Sequence, residues 1–298
     1  MEIWVCLSIG AAIFQTLRFI LQKFLSDTQL GVDGATFSRF IYSAPILMIL
    51  APLWFGYSGY PIVTGNFFIF SAIGGIAQIL ATLCVIALFK QRNFAVGIAF
   101  MKTETLQIAV ISLVILGEKV SINALYAICI GFVGLVLLSK QPLKRSFLEE
   151  GVFSRSVFLG LLSGFLFAIS GVYYRASTLN VLDESSINRA IFTLTFVIVF
   201  QVISMGGWLL LFNRPELKAV WKVRSVAIWV GLTSLAGSFC WFWAFSLVNA
   251  ALVKAVGQIE LLFSILASIV LFKEKITGRE LVGIFIVMLS LIGVIALG

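Results

Sequence analysis

Apolar runs of about 20 residues recur along the whole chain, separated by short polar segments. The runs predict ten spans, at 3–25, 35–56, 67–89, 94–116, 121–139, 157–177, 187–212, 225–247, 250–272 and 279–297. A helix of about 20 residues matches the roughly 30 Å hydrocarbon core of a bilayer. A membrane β-barrel would instead show alternating segments of about ten residues. The continuous runs therefore predict an all-α polytopic membrane protein with ten transmembrane helices.

Composition supports this class and argues against several others. Of the 298 residues, 61% are hydrophobic and 11% are charged, which leaves too little polar surface for a water-soluble domain. The sequence has no His, the commonest general base and metal ligand, and its four Cys form no CxxC pair. We therefore expect no enzyme, no metal site and no cofactor. The partners expected are a lipid bilayer and a small-molecule substrate, with no nucleic acid.

The distribution of basic residues predicts an orientation. The first apolar run lacks a basic leader and a cleavage site, so we interpret it as a retained helix. Numbering the loops in order, the odd loops carry 14 of the 21 Lys and Arg residues, whereas the even loops and both termini carry 3. The positive-inside rule then places the odd loops in the cytoplasm and both termini outside. We expect a multi-pass protein of the cell (inner) membrane.

The chain also contains an internal repeat. A shift of 156 residues aligns Gly75 with Gly231, Asn93 with Asn249 and Glu104 with Glu260, and a shift of 150 aligns Asp33 with Asp183 and Arg39 with Arg189. Segments 1–142 and 155–298 each hold five predicted spans. Because five is odd, the second segment enters the membrane from the opposite side. Two inverted five-helix repeats are typical of secondary transporters, whose substrate sites lie at the repeat interface near the bilayer midplane.

Local motifs point to one family. The fourth span of each half ends in a similar turn, LGEKVS at 116–121 and FKEKIT at 272–277, and a Gly-containing fifth span follows. Ser38-Arg39-Phe40 opens the second span. Over essentially its whole length the chain resembles the EamA-type branch of the drug/metabolite transporter superfamily. The resemblance implies the fold and a transport function but names no substrate, and relatives usually have cytoplasmic termini, opposite to the charge distribution here. Many relatives have a proline just after the matched glutamates, whereas this chain has Thr105 and Leu261, so no proline kink is expected.

Several ionisable side chains interrupt the apolar runs. An ion at the bilayer centre costs at least about 2.5 kcal/mol, so such residues pair, or face a polar cavity. Lys254 and Gln258 are four residues apart and share a face of a regular helix, while Glu260 points elsewhere. We expect Lys254 and Gln258 to face the cavity. The remaining substrate-binding candidates are Lys102, Arg18 and one tryptophan, Trp243 or Trp241.

The other charged residues have more structural interpretations. Glu104 and Glu260 either couple transport to protons or clamp helices by packing against a neighbour or bridging the repeats. Arg39 and Arg189 begin second helices, so we expect them to bind lipid headgroups.

These features favour a secondary transporter, with export as the expected direction, of small polar metabolites such as amino acids or related zwitterionic or anionic compounds. Basic residues outnumber acidic ones in the spans by four to two, which favours an anionic group on the substrate. The alternative is a proton-coupled cationic multidrug exporter, although two lysines would repel a cationic drug. A membrane enzyme or scramblase lacks supporting motifs, and a scaffold would leave the intramembrane charges unexplained. A duplicated chain completes its own cavity, so we expect a monomer.

Overall fold

The computed structural model describes residues 2–90, 98, 101–119, 121–139 and 155–271, together with 278, 282–283, 285–286, 289–290 and 292–293. The elements up to residue 139 are α1 (Ile3–Thr28), α2 (Val32–Ile41), α3 (Ala44–Ser58), β1 (Ile62–Val63), α4 (Asn66–Phe89), α5 (Glu104–Leu116) and α6 (Ile122–Ser139). The elements from residue 155 are α7 (Arg155–Leu179), β2 (Val181–Leu182), α8 (Ser186–Phe212), α9 (Arg214–Lys222), α10 (Arg224–Leu247), α11 (Ala250–Val256), the 3-10 turn Gly257–Ile259 and α12 (Glu260–Val270).

The described helices confirm a multi-pass membrane protein. Seven segments are long and apolar enough to cross a bilayer; one of them joins α2 to α3 and another joins α11 to α12. Helices α5 and α6 are shorter apolar helices. The predicted span 279–297 falls largely outside the described residues, as does the start of the predicted span 94–116.

One predicted polar connection contains a helix. Residues 213–224 were expected to form a loop, but α9 occupies most of them. Pro215 lies in its first turn, where a missing N–H costs nothing. Val220 is buried against the core around α2, and the Tyr42 hydroxyl donates a hydrogen bond to the Val220 carbonyl (2.9 Å). A nine-residue helix is not stable alone, so this packing stabilises it.

Helices from the two halves of the chain pack against each other in a crosswise manner. Helix α1 packs along α10, and α4 packs along α7, so the first long helix of each half lies on the third long helix of the other. The matched glycines make similar contacts: the Gly231 carbonyl accepts a hydrogen bond from Ser43 (2.8 Å), and the Gly75 carbonyl accepts one from Gln201 (3.1 Å). Each matched glycine therefore accepts a hydrogen bond from the second membrane span of the other half, although the donors are not matched positions.

Contacts between loops define two ends of the helix bundle. At the odd-loop end, the Gly31 N–H donates to Glu216 (2.9 Å) and Lys23 donates to the Phe89 carbonyl (3.1 Å). At the even-loop end, β1 and β2 form an antiparallel pair. Loop one, the end of α4 and helix α9 thus lie at one end, and loops two and six lie at the other.

Candidate functional site

Two membrane helices are interrupted in the interior of the bundle. Lys102 and Thr103 form a turn before α5, and the 3-10 turn Gly257–Ile259 precedes α12. The matched glutamates Glu104 and Glu260 are the first residues of the helices that follow. A helix N-terminus carries partial positive charge, which stabilises a carboxylate there. Neither break contains a proline. The chain therefore interrupts both helices without the proline that many relatives have just after the matched glutamates.

Glycines let neighbouring helices pack against these two breaks. A Cβ at Gly164 of α7 would collide with the Thr103 side chain and approach the Met101 carbonyl. A Cβ at Gly257 would collide with the Trp241 ring of α10. Both breaks are therefore covered by an adjacent helix at close range, which keeps the interrupted backbone away from lipid.

Four buried charged residues meet at the breaks, and we call Lys102, Glu104, Lys254 and Glu260 the charge quartet. Lys102 Nζ lies 2.5 Å from Glu260 Oε2 and 3.7 Å from Glu104 Oε1. Lys254 Nζ lies 3.4 Å from Glu104 Oε1. Every member is at most 5% exposed. The two shortest ion pairs each join one half of the chain to the other, and the four charges sum to zero.

Neutral side chains connect the quartet to α1 and α10. Gln15 Nε2 donates to Glu260 Oε2 (2.7 Å), and Gln15 Oε1 accepts from Trp241 Nε1 (3.0 Å). Lys102 Nζ also donates to the Gly257 carbonyl (3.3 Å). The sequence analysis did not select Gln15, although an amide in the middle of an apolar run was the available signal.

A small cavity lies beside Lys254. It has room for about one water molecule. Its lining residues are Gln15, Gln78, Phe167, Ser170, Gly171, Tyr174, Ser238, Trp241, Phe242, Phe245 and Lys254. The Lys254 ammonium lies 4.3 Å from the centroid of the Trp241 ring, within cation–π range. This volume is too small for an amino acid.

The structure separates Lys254 from Gln258, contrary to the prediction that they share the cavity face. Gln258 lies against Gly131 of α6, and neither of its amide atoms has a hydrogen-bond partner among the described residues. The prediction assumed a continuous α-helix, which turns by about 100° per residue, whereas a 3-10 turn advances by about 120°. The turn Gly257–Ile259 therefore points Glu260 inward and Gln258 toward α6. A part for Gln258 in substrate binding stays a prediction.

Of the two candidate tryptophans, Trp241 lines the cavity and Trp243 does not. Trp243 Nε1 donates to Ser186 Oγ (3.1 Å) at the start of α8, and its ring packs on Phe239. Two residues along a helix correspond to a turn of about 200°, so only one of the pair can face the cavity. The structure favours Trp241 as the wall.

Arg39 is not a lipid anchor, because it is buried at 2% exposure. It donates to Ser234 (2.9 Å), Thr82 (3.1 Å) and Ser238 (3.4 Å). Arg18 is also 2% exposed, and its Nε and Nη2 atoms have no hydrogen-bond partner within the described part of the chain.

Arg189, the repeat counterpart of Arg39, is half-buried near the even-loop end. Its two terminal nitrogens donate to the Ser246 carbonyl (3.0 Å) at the end of α10 and to the Asp183 carbonyl (3.3 Å) before α8, while its Nε has no hydrogen-bond partner among the described residues.

Comparisons with known proteins agree with this fold. The model of the EamA-like transporter family matches residues 2–140 and, a second time, residues 154–296. The chain belongs to the EamA-like transporter family. As a member of this family it is a membrane transporter of the drug/metabolite type. The repeat limits 1–142 and 155–298 stay predictions.

Other comparisons add the fold alone. No curated protein gives a significant match to the chain. A solved structure described only as "Crystal structure of protein" superposes with a TM-score of 0.65, covering 97% of this chain and 95% of the other at 12% identity. This similarity covers nearly the full length of both chains, so the two chains share the same overall fold.

Proposed function

We propose that this EamA-like protein is a secondary transporter that exports small polar metabolites, such as amino acids or related zwitterionic and anionic compounds, across the cell (inner) membrane. It works as a monomer, by alternating access at the interface of two inverted five-helix repeats. The observation that carries the proposal is the charge quartet, whose ion pairs Lys254–Glu104 and Lys102–Glu260 join the two halves beside a small cavity.

Opening the interface must separate these ion pairs. Leaving one buried partner without the other costs about 3–5 kcal/mol, so the empty transporter resists opening. A zwitterionic substrate offers a carboxylate to Lys254 and an ammonium group to Glu104. Since the quartet is electrically neutral, such a substrate enters without adding net charge, and each buried ion keeps a partner during the transition. Protonation of Glu104 is a second way to release Lys254, which would couple transport to protons.

One observation favours the alternative, a cationic multidrug exporter. The Lys254 ammonium lies over Trp241 (4.3 Å) and near Phe167 (5.9 Å), beside the Glu104 carboxylate. An organic cation could replace the lysine in this aromatic and acidic environment. This function ranks second, because Lys254 would have to leave before the cation enters.

Binding to the purified protein separates the two functions. Wild type, Lys254→Met and the exposed control Lys218→Met are each titrated with a panel of amino acids and a panel of cationic dyes. The proposal expects amino acids to bind wild type and Lys218→Met, and to lose affinity for Lys254→Met. Dye binding that strengthens in Lys254→Met would support the drug exporter instead. If neither panel binds wild type, both proposed substrate classes are wrong.

Orientation is tested independently. The contacts that gather odd and even loops at opposite ends support the loop assignment, and the charges favour a cytoplasmic odd-loop end. Reporter fusions at Gly298 and within 213–224 should give an external and a cytoplasmic signal respectively. The reverse pattern would contradict the charge argument and match the usual habit of relatives.

A further inference from the structure

The surplus positive charge inside the bundle belongs to two arginines. The spans contain four basic and two acidic side chains, and the charge quartet uses both lysines and both glutamates. Arg18 and Arg39 are left over. Both are 2% exposed, and no ion pair within the described residues includes either of them. The bundle therefore buries two guanidinium charges without a bound carboxylate.

The contacts of the two arginines are neutral or absent. Among the described residues, the hydrogen-bond acceptors of Arg39 are the hydroxyl groups of Thr82, Ser234 and Ser238. Two donor atoms of Arg18 have no partner within the described part of the chain. Gln22, one turn after Arg18 on α1, donates to the carbonyl of Ala35, one turn before Arg39 on α2 (2.9 Å), so the two arginines lie at a similar depth on helices that pack together. A guanidinium has five N–H donors, so both side chains retain donors for a further acceptor.

The arginines do not line the cavity themselves, but each lies next to a residue that does, on the side toward the odd-loop end. Gln15 precedes Arg18 by one turn of α1, and both Gln15 and Ser238 line the cavity. Helix α1 continues past Arg18 to the odd-loop end, and α2, which carries Arg39, begins at that end. A ligand held by the arginines would therefore lie between the odd-loop end and the charge quartet.

We infer that Arg18 and Arg39 form a subsite for a divalent oxyanion of the phosphate type, carried by the substrate as a phosphate ester or taken up as free inorganic phosphate. Burying two uncompensated guanidinium groups in a low-dielectric interior is unfavourable, and a doubly charged anion neutralises both. The planar guanidinium matches such an oxyanion through paired hydrogen bonds. This subsite rests on the proposed transport function and extends its substrate class from zwitterions to phosphorylated metabolites.

Thermal unfolding of the purified protein in detergent, at constant ionic strength, tests the subsite. The probes are inorganic phosphate, O-phosphoserine, and serine as the matched compound without phosphate. Phosphate-bearing probes should raise the unfolding temperature of wild type. Arg18→Gln and Arg39→Gln should each weaken their apparent affinity by about tenfold or more, the loss expected for a charged hydrogen bond. The control Arg189→Gln, at the repeat counterpart of Arg39, should keep wild-type affinity.

A fourth variant guards against misfolding. Ser234→Asp places a carboxylate where Arg39 already donates a hydrogen bond, which supplies an internal counter-ion. It should fold at least as stably as wild type and still lose the response to phosphate. An equal response of wild type, Arg39→Gln and Ser234→Asp would overturn the subsite, because the anion would then act as a general salt.

The remaining outcomes separate the subsite from the proposed function. If serine binds in a Lys254-dependent way and phosphate has no effect, the subsite is wrong and the proposed transport of amino acids stands. If phosphate binds in an Arg39-dependent way and no amino acid binds, the subsite stands and the proposed amino-acid substrates are wrong. Tighter binding of O-phosphoserine than of inorganic phosphate supports a phosphate ester as the ligand, and equal binding supports the free anion.

Discussion

The charge quartet and the arginine pair, Arg18 and Arg39, lie in one helix bundle. The charges of the quartet have partners of opposite charge, whereas those of the arginine pair do not. In the quartet, each lysine has a carboxylate within 3.4 Å and the charges sum to zero. Arg39 has hydroxyl partners only, and Arg18 has two donor atoms without partners among the described residues. A count of charged residues near a cavity therefore does not measure the charge available to a ligand, because part of it is neutralised by the chain itself.

The difference arises from where the residues lie on their helices. Lys102, Glu104 and Glu260 lie at or beside helix breaks, where a side chain of one half can reach the other half. Arg18 and Arg39 lie inside the regular helices α1 and α2. The neutral cluster is suited to holding the halves together, and the cationic pair is suited to receiving an anion.

The largest expected effect comes from breaking the quartet. Glu260→Gln removes the carboxylate nearest to Lys102 in a site with no exposure and leaves Lys102 to share Glu104 with Lys254, so we expect the free energy of unfolding to fall by about 3 kcal/mol. Denaturation in detergent measures it. The double variant Lys102→Met with Glu260→Gln removes both charges and should recover most of the loss. A single variant as stable as wild type would contradict the role of this pair.

Lys254→Met should affect transport more than stability. It keeps the length of the side chain and removes the charge, while Glu104 retains Lys102 at 3.7 Å. We expect uptake into proteoliposomes to fall by about tenfold or more, the size of a lost charged hydrogen bond, with membrane insertion intact. Wild-type rates would mean that the lysine is only an internal counter-ion, and substrate contacts would then be sought at Arg18 and Lys102.

Arg18→Met should change stability in the opposite direction to Glu260→Gln. Removing a buried charge that lacks a carboxylate partner relieves a desolvation cost, so in buffer without divalent anions we expect stabilisation by about 1 kcal/mol. The same denaturation experiment measures it, with Lys102→Met as the comparison, which should destabilise. If both substitutions destabilise equally, the contrast between quartet and arginine pair is wrong.

The smallest effect is expected at the even-loop end. Arg175 Nε lies 3.0 Å from Glu118 Oε1, but these side chains are 12% and 20% exposed. Screening by water limits such a pair to about 1 kcal/mol or less. A double-mutant cycle with Glu118→Gln and Arg175→Gln measures the coupling. A coupling energy as large as that of Lys102 with Glu260 would show that the depth of an ion pair in the bundle does not decide its strength.

Hydropathy alone predicted the membrane class, and the limits of the described long helices agree with it to within a few residues. It could do so because burial in lipid selects apolar side chains locally, residue by residue. The motifs around 116–121 and 272–277 likewise pointed to the correct family. Lys102, Glu104, Lys254 and Glu260 are buried, as expected from the cost of exposing an ion to lipid, whereas the expectation that Arg39 binds lipid headgroups was wrong.

Only the tertiary structure decided which of these residues pair with each other and in which direction their side chains point. Lys254 and Glu104 are 150 residues apart, and their contact depends on how helices of the two halves pack. The break at Gly257, which turns Gln258 away from Lys254, goes with the close approach of Trp241 from another helix. Arg39 is buried because hydroxyl groups of α4 and α10 meet it there. A sequence pattern repeats along one helix, whereas partner choice and side-chain direction are set between helices.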